Sequence, residues 1–300
     1  MKKNYKIGLC LGIVVIFVFL TIVAILYLKN KNAENFSLNS ELYENYVPPG
    51  SEDPDFSGSE MYKPNPEEIS YIPILMYHYI QAPPGDGVVD GLSVSPEKFE
   101  EQLNDLYDAG YRFENLDYVY KKTKNESVED DKKIILTFDD GYIDFYTSAF
   151  PIIKRNNIKA TVFIIVNRVG QPGYMNWGHL KELDKTGLVT IGSHTLNHIA
   201  LASASEEKIK EEVLKSKEIL ESELGHKVEY FCYPYGSYNL TVARQVESVG
   251  YIAAVSTVQG TSQTFFDRFW WQRIRVGSGY TGASIISKIE SYKNQIEKQK

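Results

Sequence analysis

The first long pattern in the chain is an unbroken apolar block. Ile7 to Leu28 contains no charged side chain and is long enough to cross a bilayer as one helix. Lys2, Lys3 and Lys6 precede it and favour a cytoplasmic N-terminus, a bias weakened by Lys29 and Lys31 on the far side. The pattern predicts a cytoplasmic stub over residues 1–6 and an uncleaved transmembrane signal anchor over 7–28. A cleaved signal peptide is the alternative, but its apolar region is usually shorter and no clear small-x-small site follows this one. Residues 29–69 then read as a flexible acidic linker, with Pro48, Pro49, Pro54, Pro64 and Pro66 among acids and few aliphatic residues.

From about residue 70 the pattern changes again. Short apolar runs alternate with stretches of helical spacing. Strands are predicted near 71–77, 133–138, 160–166, 188–192, 229–233, 251–255 and 271–276. Helices are predicted near 96–110, 143–156, 177–186, 206–224, 240–248 and 283–295. Ser95-Pro96 is a favourable helix start. Ser203 with Glu206 fits a capping box, and Gly225 closes the helix after it. Strand and helix in alternation argue an α/β fold with a parallel sheet or barrel over 70–300.

Composition narrows the picture only a little. The net charge is -7, which argues against nucleic acid as a partner. The charge is uneven, with lysines and no acids before residue 34 and a surplus of acids from there to 70. Cys10 lies in the apolar block, so no disulfide with Cys232 is expected, and the fold must rest on its core.

Candidate chemistry collects where predicted strands end. The run 133–138 delivers Asp139, Asp140 and Gly141 to its C-terminal edge, where α/β proteins place their sites. Neighbouring residues at a strand end point to opposite sides, so the two acids should differ in role. Asp-Gly is also a common turn dipeptide. His194 and His198 are four apart after another strand; on a helical turn they would face one way and could share a metal with an Asp. Position 195 is Thr, which excludes the His-Glu-x-x-His metalloprotease pattern. Tyr233-Pro234-Tyr235-Gly236 is a turn that can aim the Tyr235 N–H into a site as an oxyanion donor. Trp177 is a candidate substrate-binding residue or a core residue. Phe265, Phe266, Phe269, Trp270 and Trp271 form an aromatic patch, with core packing expected for at least half of it.

In this order, Thr137-Phe138-Asp139-Asp140-Gly141, His194-x-x-x-His198 and Tyr233-Pro234-Tyr235-Gly236 resemble the NodB-type polysaccharide deacetylases, carbohydrate esterase family 4. The resemblance covers about residues 70–290. It implies a distorted (β/α) barrel of that type, here preceded by the transmembrane helix. It implies a divalent metal, zinc first with cobalt, nickel or manganese as other options, on Asp140, His194 and His198. Asp139 would be the general base and the Tyr235 N–H the oxyanion donor. Two features depart from the family: Cys232 stands where many members have an Arg, and no late Leu-x-His motif supplies an acid. Both departures resemble the circularly permuted branch that acts on biofilm poly-N-acetylglucosamine, as does Leu75-Met76-Tyr77-His78. That branch implies His78 as general acid, and Arg273 is a candidate replacement for the missing Arg.

The expected activity is metal-dependent de-N-acetylation of an extracellular N-acetylglucosamine polymer by a single-pass membrane protein that needs no partner subunit. Peptidoglycan deacetylation, ester removal from another polysaccharide, or a catalytically impaired carbohydrate-binding protein are the alternatives.

Overall fold

The structure, a computed structural model, describes residues 68–82, 90–128 and 132–297. The expected stub, the anchor and nearly all of the linker lie outside these residues. Among the described residues no helix is long and apolar enough to cross a membrane.

The strands are β1 (Ser70–Tyr71), β2 (Ile74–Tyr77), β3 (Arg112–Glu114), β4 (Lys133–Phe138), β5 (Ala160–Ile164), β6 (Val189–Ser193), β7 (Tyr230–Cys232), β8 (Ala253–Gln259), β9 (Ser262–Gln263) and β10 (Trp271–Arg275). The order β2-β10-β8-β7-β6-β5-β4, with β4 pairing back onto β2, closes a parallel barrel of seven strands. A closed parallel barrel is one of the two arrangements that the alternating strands and helices predicted. Its strands are short and almost wholly buried, as expected when helices cover a parallel sheet. Thr137 pairs with both Met76 and Thr161, so β2 and β5 occupy opposite edges of β4. Ile135 pairs with both Ile74 and Glu114. So β3 shares the β5 edge of β4, lower down, and lies outside the closed ring.

The helices are α1 (Pro96–Asp108), α2 (Leu116–Thr123), α3 (Phe150–Arg155), α4 (Trp177–Lys185), α5 (Glu206–Leu224), α6 (Leu240–Ser248) and α7 (Gly282–Glu297). Ser95 caps α1 by accepting from the Lys98 N–H, with Pro96 at the first position. Gly225 ends α5 in a left-handed conformation, φ 83°.

Several expectations need correction. The cap of α5 is Ser205, which accepts from Lys208 N–H, and not Ser203, which sits in the 3-10 turn Leu201–Ser203. The helix expected at 143–156 begins with a π-turn, Phe145–Ala149, in which Phe150 N–H donates to the Phe145 carbonyl. Pro151 has no N–H to continue an α-helical ladder through that turn. β3 and α2 were not foreseen, because one phenylalanine between Arg112 and Glu114 gives too little alternation to detect.

Candidate active site

The C-terminal rim of the barrel gathers the candidate residues, and strand register explains how. Tyr77 on β2 pairs with Phe138 on β4, and Asp139 N–H donates to the Tyr77 carbonyl at 3.0 Å. His78 and Asp139 therefore leave adjacent strands side by side, with His78 Nε2 3.9 Å from Asp139 Oδ2. On the far side, Ser193 pairs with Phe231, which brings His194 against Cys232. His194 Nδ1 lies 2.7 Å from the Cys232 carbonyl. A carbonyl only accepts, so Nδ1 carries the hydrogen and the Nε2 lone pair is left for the site.

Asp139 and Asp140 have different surroundings. Arg273 donates to both Asp139 oxygens, at 2.7 and 2.8 Å, and to Thr137 Oγ1 at 3.0 Å. Its Nε donates to the Ser256 carbonyl at 2.8 Å, beside an irregular register between β8 and β10. Both side chains are buried. Burial pushes the Asp139 carboxyl up, but the Arg273 charge and hydrogen bonds outweigh it and hold the group well below the usual carboxylate range. Arg273 thus stands against Asp139, and its Nη2 also contacts Cys232 Sγ at 3.3 Å.

Asp140 turns away, with φ 75°, and Gly141 comes next at φ 77°. A Cβ on Gly141 would come within 3.0 Å of Ile164 Cδ1, so the turn needs glycine for its close approach as well as its backbone. Asp140 Oδ1 is buried and makes no hydrogen bond. It faces His194 Nε2 at 3.4 Å and His198 Nε2 at 3.3 Å. The three donor atoms lie within 4.8 Å of one another. Two imidazole nitrogens and one carboxylate oxygen, with that oxygen otherwise unpaired, fit a divalent cation. Asp139, His194 and Cys232 also lie within 4.8 Å of one another. That set fits poorly, because Arg273 occupies both Asp139 oxygens and also meets the sulfur.

The His194–His198 segment is not a helical turn. Thr195 and His198 both have left-handed backbones, φ 66° and 60°, and the segment forms a loop. The imidazoles converge because the loop folds over, with His198 N–H donating to Thr195 Oγ1 at 2.9 Å. Burial and the nearby His194 push the His198 imidazole down to about 4. Burial also lowers His78, whose Nδ1 is buried without a partner.

Tyr235 sits at φ 59° in a turn closed by Gly236 N–H donating to the Tyr233 carbonyl, which leaves the Tyr235 N–H outside the turn's hydrogen bonding. Its exposed ring meets His198 edge-on, centroids 4.5 Å apart. Of six non-glycine residues with positive φ among the described residues, four belong here: Asp140, Thr195, His198 and Tyr235. Strain concentrated in this way is typical of functional sites. Trp177 opens α4 and is half-buried against the main core; no ring contact or hydrogen bond joins it to this group among the described residues. Of the aromatic patch, Phe269 and Trp271 are buried and Phe266 is exposed.

Two acids that the sequence pattern did not single out also touch the site's backbone. Glu212 on α5 bonds the loop between His194 and His198. Asp144 accepts from Ile80 N–H at 3.0 Å, two residues beyond His78. Glu212 had a visible signal, since it falls on the apolar stripe of Ile209, Val213 and Leu220.

The polysaccharide deacetylase family profile matches residues 126–254. The chain is 29% identical over 227 residues to YxkH of Bacillus subtilis, a protein assigned to the polysaccharide deacetylases, covering 76% of this chain and 79% of the other. It is 32% identical over 165 residues to the poly-β-1,6-N-acetyl-D-glucosamine N-deacetylase of Staphylococcus aureus, covering 50% of this chain and 56% of that one. Among solved structures, the Streptococcus pyogenes deacetylase PplD in complex with acetate superposes with a TM-score of 0.69 and 31% identity, over 74% of this chain and 99% of that one.

Proposed function

The chain belongs to the polysaccharide deacetylase family, and from that premise we propose that it removes N-acetyl groups from an extracellular, β-1,6-linked N-acetylglucosamine polymer. The name of the staphylococcal relative supports the polymer. The observation that carries the reading is Asp139 clustered with His194 of the Asp140–His194–His198 donor set and 3.9 Å from His78 Nε2.

In this reading Asp140, His194 and His198 hold a divalent cation, zinc first. Bound there, the cation supplies Lewis acidity towards water and the acetyl carbonyl. Asp139, kept ionised by Arg273, takes the proton from the attacking water. The Tyr235 N–H donates to the oxyanion that develops on the carbonyl oxygen. His78 gives a proton to the departing amine, so the carbon–nitrogen bond breaks and acetate leaves. Arg273 supplies from β10 the positive charge that Cys232 lacks at its own position. This argues against a catalytically impaired binding protein. Trp177 is assigned to the sugar site on sequence grounds alone. The apolar segment 7–28 anchors the protein in the cell membrane, and the acidic linker extends the monomeric catalytic domain away on the extracellular side.

The test is acetate release by the purified full-length chain from β-1,6-linked N-acetylglucosamine oligomers, with added zinc or cobalt and with chelator. Cation-dependent release is expected. Release only from peptidoglycan fragments would keep the residues and move the substrate, and no release from either would overturn the reading.

A further inference from the structure

We propose that Glu212 is a positioning residue for the cation site, holding the His194–His198 loop in its ligating shape; this rests on the reading that Asp140, His194 and His198 bind the metal. The Glu212 side chain is wholly buried on α5. A buried carboxylate is stable only where donors surround it, and those of Glu212 come mainly from one place. Oε2 accepts from the N–H groups of Leu196 and Asn197, at 3.1 and 2.8 Å. Oε1 accepts from Asn197 Nδ2 at 2.7 Å. Lys208, one turn earlier, stands 3.1 Å from Oε1 and balances the charge.

The loop needs such a clamp. It belongs to no helix or strand, and Thr195 and His198 both adopt backbones that side chains rarely favour. Its central N–H groups have no ladder partner, and Glu212 supplies the acceptor.

The two histidines depend on the clamp to different degrees. His194 is fixed independently, because its N–H donates to the Ile164 carbonyl at 2.9 Å and its Nδ1–H to the Cys232 carbonyl. His198 comes directly after the clamped residues, and its remaining backbone tie is to Thr195 Oγ1 within the same loop. Losing Glu212 should therefore cost the site mainly His198. Partners behind metal ligands typically contribute about 10–100-fold in metal affinity.

The experiment is zinc affinity of the full chain by competition with a chelating dye, alongside thermal unfolding. Wild type, Glu212→Gln, Asn197→Ala, His198→Ala and Val213→Ala are compared. Glu212→Gln keeps the volume, but its NH2 replaces one acceptor oxygen, so it cannot serve both N–H groups and Asn197 Nδ2 together and sets a donor against a donor. Val213→Ala weakens the same helix through its core face without touching the loop. Glu212→Gln is expected to weaken zinc binding about 10–100-fold, approaching His198→Ala, with Asn197→Ala between it and wild type. Val213→Ala should lower the melting temperature while zinc affinity stays within about threefold. If Glu212→Gln lowers the melting temperature but leaves zinc affinity unchanged, the proposal is overturned. If Glu212→Gln does not fold, Asn197→Ala decides in the same way. If wild type binds no zinc, or His198→Ala binds as tightly as wild type, the metal-site reading fails instead.

Discussion

Asp139 and Asp140 are consecutive residues of the same type, yet the barrel gives them opposite surroundings. Asp139 continues the line of β4 and meets a guanidinium with both oxygens. Asp140 turns into a left-handed backbone and presents a bare oxygen to two imidazoles. A one-residue step along a strand end thus separates a carboxylate paired with a guanidinium from one that faces two imidazoles. Residue type alone could not have assigned these two environments; the element each side chain meets decides them.

The largest effect should come from breaking the Asp140 side. Asp140→Ala is expected to abolish both tight zinc binding and acetate release, read by dye competition and acetate assay on the same preparation. Asp139→Asn should separate the two properties. Release should fall by about 10²–10⁴-fold while zinc affinity stays within a few-fold, and near-wild-type release would remove Asp139 from the chemistry. Arg273→Met tests the balancing charge. Removing one partner of a buried pair costs about 3–5 kcal/mol, so the urea midpoint should drop sharply. Asp139→Asn combined with Arg273→Met should recover part of that loss.

Acid sensitivity sharpens the comparison further. The folded-state Asp139 carboxyl lies below its unfolded value. Its contribution to stability is therefore present above about pH 4 and is lost as pH falls towards the folded value. Asp144 behaves in the opposite way, since burial pushes it up to about 6. Its contribution is full below about pH 4 and is lost as pH rises through 6. Asp144→Asn should accordingly gain on the order of 1–3 kcal/mol relative to wild type above pH 7 and nothing below pH 4. Urea unfolding at the two pH values checks this, and an equal shift at both would refute it.

Much of this was legible in the chain because the chemistry sits at strand ends. Apolar runs reveal strands, and the residues just after a run land on the rim. Asp139, Asp140, His78 and His194 could be found that way. The shape of the His194–His198 loop could not, because spacing by four suggests a helix while Thr195 and His198 take left-handed backbones. Glu212 showed only as an acid on an apolar helix stripe, and what it binds was hidden for a different reason. Its partners are backbone groups of a distant loop, and backbone donors leave no mark in a sequence. Ser205 and Ser203 are both plausible caps on local pattern, and Leu201, buried in the preceding turn, places the helix start at the later one.

The closing strand pair has a consequence for the life of the nascent chain. β2 is the first strand of the barrel ring in sequence and β10 the last, and they are neighbours. Asp139 waits 134 residues for the arginine that neutralises it. At the midpoint of this domain the chain includes the two acids and His78, but neither the strand that closes the ring nor the counter-ion of Asp139. Only when Trp271–Arg275 docks against Ile74–Tyr77 do the missing wall and the missing counter-ion arrive together, so a prematurely terminated chain carries the motifs without an assembled reaction centre.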